Sequence, residues 1–266
     1  MKNNRESVLK SIVNSEDRLA AAKLLNKAEF TARTHRLAHS DFLDPRQAKL
    51  AERALKAADI YDYCFYGGFS GAERSVALFK TCFTDEAELE QYKSSILKVI
   101  EIDPLMRNSL NHRDYLGALM GLGIRRSVIG DIIIDETKCN VIVLSDIADY
   151  IERNLHKVGN IGIDLKISDI IGLSVPAPET AEVRAVVSAL RLDCVCAAAF
   201  GLSRSKTSEY IKSGRVQLNW EITTGADKPV REGDTLSMRG KGRAVLGKDA
   251  GRTRKDRISV IITKYM

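Results

Sequence analysis

The stretch LSVPAPET, residues 173–180, constrains this chain more than any other. Two prolines one residue apart remove two backbone donors and hold the segment extended, so no helix runs through it. The 266 residues therefore fold as separate bodies joined here. The charge divides at nearly the same place. From residue 182 onward there are 17 Lys and Arg against 9 Asp and Glu, a net of +8. The 181 residues before it carry 24 against 26, a net of −2, so the formal +6 belongs to the last third. A concentrated positive field suits a polyanion, with nucleic acid ahead of a membrane surface. Charge alone does not separate that reading from a solvated basic tail.

A hydrophobic content of 44% and a charged content of 29% are those of a globular chain and exclude disorder throughout. The longest uncharged apolar runs, 132–134 and 141–144, fall far short of the roughly 18 residues that a membrane span needs. The start, MKNNRESVLKS, lacks an apolar stretch, so no signal peptide and a cytoplasmic location are expected. Cysteines stand at 64, 82, 139, 194 and 196. Their odd number and the absence of a CxxC pair argue against a disulfide framework, and Cys194 and Cys196 read as small core residues.

Up to about residue 69 the pattern is helical. Ser15 is placed to cap the alanine-rich stretch LAAAKLLNKAEF. Asp44, Pro45 and Gln47 form a start signal, with the cap, the N1 proline and a side chain that reaches back. Leu50, Ala51, Ala54, Leu55 and Ala58 then recur on one helical face. Gly67, Gly68 and Gly71 suggest a turn. From about residue 70 to 174 the period changes. SVALFKTCF (75–83) reads as a strand and ILKVIEI (96–102) alternates. Asn111 and Asp114 open a helix with Leu116, Leu119 and Met120 as its stripe. Residues 130–135 and 140–144 form two strands, Ser145 is placed to cap the next helix, and IGIDLKI (161–167) alternates again. Strand, helix, strand, strand, helix, strand is the ferredoxin-like plait, the layout of RNA-recognition motifs. Such motifs stack bases on aromatics of their central strands, and ILKVIEI and NVIVLS carry none. The domain is therefore expected to be a scaffold or protein-contact module.

In residues 182–266 a strand is expected at 182–190. A short helix, CVCAAAF, follows with Asp193 as its cap and Gly201 as its stop. A second helix has Ser203 as cap and Gly214 as its end. The strands RVQLNW, TLSMR and RISVIITKY come after it. The cations fall in a pattern on this outline. Arg204, Lys206 and Lys212 lie on the second helix, with Arg204 and Lys212 about 80° apart at helical spacing. Arg204 and Ser205 occupy its first turn, where free N–H groups favour an anion and a cation is ordinarily disfavoured, so an anion is expected nearby. Arg215 starts the next strand. Arg239, Lys241 and Arg243 alternate with glycines in RGKGR.

The residues RLDCVCAAAFGLSRSKTSEYIKSGRVQLNW with GDTLSMRGKGR, spanning 190–243, closely resemble the S4 (αL) RNA-binding domain. The resemblance implies RNA binding by Arg204, Ser205, Lys206, Lys212, Arg215 and Asn219, with Arg239, Lys241 and Arg243 at the edge. DFLDPRQ (41–47), GGFSGAER (67–74) and HRDYLGALMGLGIRRSVIGDI (112–132) extend the resemblance over the whole chain, to the bacterial YlmH family. It implies an α+β chain of three parts: a helical N-terminal domain (1–69), an RRM-like α/β plait (70–174) and an S4 domain (182–266). It further implies binding to the large ribosomal subunit, at 23S rRNA and P-site peptidyl-tRNA, in ribosome-associated quality control of stalled nascent chains. The family is also linked with cell division. A monomer is expected.

No catalytic constellation stands out. GRAVLGK (242–248) fits a phosphate-binding loop, but Asp249 replaces the Ser or Thr that would hold magnesium. His35 and His39 have the spacing of metal ligands on a helix, without a third ligand. The glycines at 117, 121 and 123 have the wrong spacing for a methyltransferase cofactor turn. A non-enzymatic factor without cofactor or metal is therefore expected. The alternatives are an RNA-modifying enzyme with its catalytic part in the middle domain, and a cell-division adaptor using the plait.

Overall fold

The structure, a computed structural model, describes residues 2–106, 110–135, 138–173, 175, 180–252 and 257–265. Most of the proline-bearing linker, 174 and 176–179, lies outside them. Backbone contacts divide the chain into two units, Met1–Pro176 and Ala177–Met266. Its class is α+β.

The first unit opens with helices α1 (Lys2–Ser11), α2 (Ser15–Thr34) and α3 (Pro45–Ala57). Asn14, not Ser15, caps α2, accepting from the N–H groups of Glu16 and Asp17. Asp44 and Gln47 close a capping box on α3 with Pro45 inside it, as the sequence predicts. Leu24, Leu25, Ala28, Ala51 and Leu55 share one core. This part is not wholly helical. Strands β1 (Ala38–His39), β2 (Tyr63–Tyr66) and β3 (Val76–Phe79) form an antiparallel sheet in the order β1-β3-β2. A boundary at 69/70 would cut that sheet, because β2 pairs with β3 from Tyr63↔Phe79 to Tyr66↔Val76. The run YCFY has strand composition, which the helical pattern before it masks.

Helix α4 (Glu86–Ile96), absent from the sequence reading, follows a cap at Asp85. It buries only Leu89 and Ile96, too little for a visible stripe. Then come β4 (Leu97–Pro104), α5 (His112–Gly121), β5 (Ile129–Ile134), β6 (Cys139–Leu144), α6 (Ala148–Asn154), β7 (Lys157–Val158) and β8 (Ile161–Asp169). The sheet order β5-β6-β4-β8-β7 is antiparallel throughout, and its first four strands make the expected plait. Asn111 and Asp114 form the capping box of α5. Ser145 does not cap α6; it begins a 3₁₀ turn, Ser145–Ile147, without a side-chain cap.

The two faces of this sheet differ in a way that bears on function. Ile100, Ile102, Val141 and Val143 alternate onto one face and are fully buried. Leu97, Val99, Ile142 and Leu144 alternate onto the other, and they are buried as well. Phe42 from the N-terminal segment covers that second face. A Cβ added at Gly130 would lie 2.8 Å from two carbons of its ring and 3.2 Å from Ile142 Cβ. A Cβ on Gly68 would meet Ile170 and Ile142 side chains at 2.7 and 3.3 Å. The face on which an RNA-recognition motif stacks bases is thus partly occupied by the chain itself, and it offers no ring on its central strands.

The second unit comprises β9 (Thr180–Val187), α7 (Leu192–Phe200), α8 (Arg204–Lys212), β10 (Val216–Leu218), β11 (Glu221–Ile222), β12 (Thr235–Met238), β13 (Gly242–Arg252) and β14 (Ile258–Tyr265). Its sheet runs β11-β10-β12-β13-β14-β9. Leu192, Val195, Cys196 and Ile211 from the helices meet Val216, Leu236, Ala244 and Ile262 from the strands in one core. Cys194 and Cys196 are core residues, and burial pushes the Cys196 thiol up to about 12. Strand β13, rich in glycine and charge, is not evident in the sequence. Residues 242–248, which mimic a phosphate loop, lie within it and open no helix.

Candidate nucleic-acid interface

Helices α7 and α8 form a corner. Gly201 ends α7 in the left-handed region, and the Ser203 hydroxyl accepts from the Lys206 N–H to start α8. Arg191 precedes α7 without capping it. Asp193, expected as the cap, sits inside the first turn and is 4% exposed. Its carboxylate takes Arg204 at 2.7 Å and Arg191 at 3.2 Å. Burial pushes this carboxyl up, but hydrogen bonds from Arg204 and Cys194 and the charges of Arg204 and Arg191 outweigh that, leaving it below the usual carboxylate range. The anion that Arg204 calls for is therefore supplied by the chain itself.

Four other expected cations converge at the opposite end of α8. Lys212 is in its last turn, and Arg215 follows after the turn at Gly214. The Arg239 N–H donates to the Arg215 carbonyl at 3.0 Å, which sets the two residues side by side where β10 begins and β12 ends. Lys241 lies in the β12–β13 turn, where Gly240 has a φ of 80° that disfavours a side chain. All four are exposed, and none has an ion-pair partner among the described residues. The Arg215 guanidinium lies 5.5 Å from the Tyr210 ring centre. Arg243 pairs across from Ser237 and lies 4.1 Å over the Tyr265 ring. Such contacts pre-order a guanidinium without neutralising it.

The remaining expected residues fall elsewhere. Arg204, Ser205 and Lys206 are about 9 to 12 Å from Lys212 along α8, at six to eight residues of 1.5 Å rise. Ser205 and Lys206 are exposed. Asn219 points into the fold: its amide donates to Asp234 at 2.7 Å and accepts from the Thr235 N–H at 3.1 Å. Asn219 and Trp220, with φ of 52° and 65°, form the two-residue turn between β10 and β11. The strand expected through Trp220 therefore ends at Leu218. Tyr210 and Tyr265 were not singled out in the sequence, and Asp193 only as a cap, because nothing in local spacing shows that they meet these arginines.

The features that suggested chemistry do not assemble. His35 is the left-handed cap after α2, whereas His39 is on β1, so they share no helix face. No group of three His, Cys, Asp or Glu suited to a metal occurs among the described residues. Burial pushes the Asp131 carboxyl up, but it accepts the backbone N–H groups of Glu73 and Arg74 at 2.7 and 3.1 Å and so clamps the GGFSGAER loop. No helix among the described residues is long and apolar enough to cross a membrane.

The two-helix corner backed by a sheet, with cations gathered at one end, defines an S4-type module. Residues 190–236 match the S4 domain family, and residues 89–171 match a family described as "Putative RNA-binding domain in YlmH". The chain is 37% identical over 224 residues to the Ribosome-associated protein quality control protein P2 of Bacillus subtilis (strain 168), covering 84% of this chain and 85% of that protein. It belongs to the YlmH family. A solved structure titled Cell division protein ylmH, from Streptococcus pneumoniae, has a TM-score of 0.49 at 20% identity, covering 59% of this chain and 94% of the other.

Proposed function

We propose that this protein is a non-catalytic RNA-binding factor that docks on the large ribosomal subunit, at 23S rRNA and peptidyl-tRNA, in quality control of stalled nascent chains. The relative's name and the S4 match support this reading. The observation that carries it is the convergence of Lys212, Arg215, Arg239 and Lys241 at one corner, unpaired among the described residues. Arg243 extends this basic edge, and Lys206 and Ser205 form a second contact at the start of α8. Arg204 contributes mainly by holding Asp193, and Asn219 by shaping the turn. Phosphate and shape recognition dominate, since the rings at this corner lie against arginines. The test is co-sedimentation with purified large subunits. Replacing Arg215, Arg239 and Lys241 with Ala should release the protein from the subunit at physiological salt with its thermal midpoint unchanged. Undiminished co-sedimentation of that variant overturns the assigned corner.

A further inference from the structure

The first unit contains a cavity of about 820 Å³ that the S4 corner leaves unexplained. One wall is the side of α2 from Glu16 to Phe30, about 21 Å of helix at 1.5 Å per residue. The facing wall is the 37–43 segment with Tyr92, Arg125 and Ser127. The cavity lies where the two cores of the unit meet, since Leu24 belongs to one and Phe42 to the other. Pockets favour such junctions.

Three cations line it. Lys23 and Lys27 stand one turn apart on α2, exposed and without ion-pair partners among the described residues. Arg125 faces them, 71% exposed. Its contact with Asp41 is a loose 3.8 Å, and the same Asp41 oxygen accepts from the Ser127 hydroxyl at 2.9 Å. Flat rings line it too. Phe30 is 39% exposed at one end. His39 lies 6.0 Å from the Tyr92 ring centre, with its Nδ1 2.9 Å from the Ser40 carbonyl oxygen. A ring nitrogen facing a carbonyl carries the hydrogen, which leaves Nε2 as an acceptor in the neutral imidazole. Cations along a rim, one exposed ring with two half-buried ones, and an apolar floor suit unpaired nucleic acid: charge for phosphates and a face for a base. An acidic peptide would use the cations but not the rings.

We propose that this cavity is a second RNA site, taking a short single-stranded segment with its phosphates on Lys23, Lys27 and Arg125 and a base against Phe30. It is independent of the S4 corner, and it lies beside the plait rather than on the covered face of its sheet.

The test uses the full chain, fluorescein-labelled hexauridylate and fluorescence anisotropy across a salt series. The background is the Lys212→Ala/Arg215→Ala/Arg239→Ala/Lys241→Ala variant, which removes all four cations of the corner. In that background the RNA should still bind. Adding Lys23→Glu and Lys27→Glu should abolish binding at moderate salt, and neutralising both instead with Lys→Gln should flatten the log–log salt slope by about 1.4, two single-strand contacts. Phe30→Ala should weaken binding about tenfold. Thermal midpoints of all variants are read alongside. The proposal is overturned if the background variant does not bind the RNA, if the Lys→Glu pair binds as before with its midpoint unchanged, or if an acidic peptide fills the cavity while the RNA does not. None of these outcomes alters the large-subunit result, so the two readings fail separately.

Discussion

Asp193 and Gly130 show how single residues carry structure that their neighbours in sequence do not announce. The Asp193 carboxyl titrates below its ordinary range, so its ion pairs stabilise the fold above the unfolded value of about 3.9, and that contribution fades as the pH falls through the lower folded value. Asp193→Asn should therefore lower the thermal midpoint of the second unit at pH 7 by roughly 5 °C. That corresponds to about 1 kcal/mol, less than a fully buried charged hydrogen bond because Arg204 is 58% exposed. Calorimetry from pH 7 downward should show the gap closing below the unfolded value. A gap that persists in acid would mean that the pair is not its source. Gly130 is closed to any side chain because the Phe42 ring lies where its Cβ would go. Gly130→Ala should cost about 1–3 kcal/mol in chemical denaturation by overpacking.

At the scale of elements, the β10–β11 hairpin depends on a turn whose two residues both have positive φ. Asn is among the few residues with a side chain that tolerate this geometry, and here its amide also ties the turn to Asp234 and Thr235. Asn219→Ala should destabilise the second unit by about 1–3 kcal/mol, combining backbone strain with a lost partner for the Thr235 N–H. Asn219→Gly should recover part of that loss by relieving the strain. Urea denaturation of the two variants separates the terms, and equal losses would place the whole cost in the hydrogen bonds. Helix caps followed local chemistry closely at Asp44, Asn111 and Ser203. They departed from it at Ser15, where the neighbouring Asn14 took the role, and at Ser145 and Asp193, where no side chain caps the helix start.

At the scale of the molecule, the second unit has its own core and carries the basic excess. Expressed alone from residue 177, it should unfold cooperatively. Its binding to isolated rRNA should weaken with salt at a slope near −0.7 to −0.9 per phosphate contact, or about −4 for five contacts. A slope near zero would remove the electrostatic basis of the proposed site. The full chain should give a steeper slope only where its α2 cavity is engaged as well, since the net charge of the first unit is close to balance.

The break at the paired prolines, the plait and the two-helix corner were legible in the sequence, because each rests on local periodicity, caps and backbone restrictions that act within a few residues. The gathering of cations was legible only in part. The sequence placed Lys212 and Arg215 together, but it needed β10 and β12 to pair before Arg239 and Lys241 joined them. Tertiary structure alone decided that Arg204 turns to a buried carboxylate, that Asn219 faces inward, that YCFY belongs to a sheet with VALF, and that Phe42 covers the plait. These are contacts between segments far apart in the chain, and no spacing rule reports which distant group fills a given space.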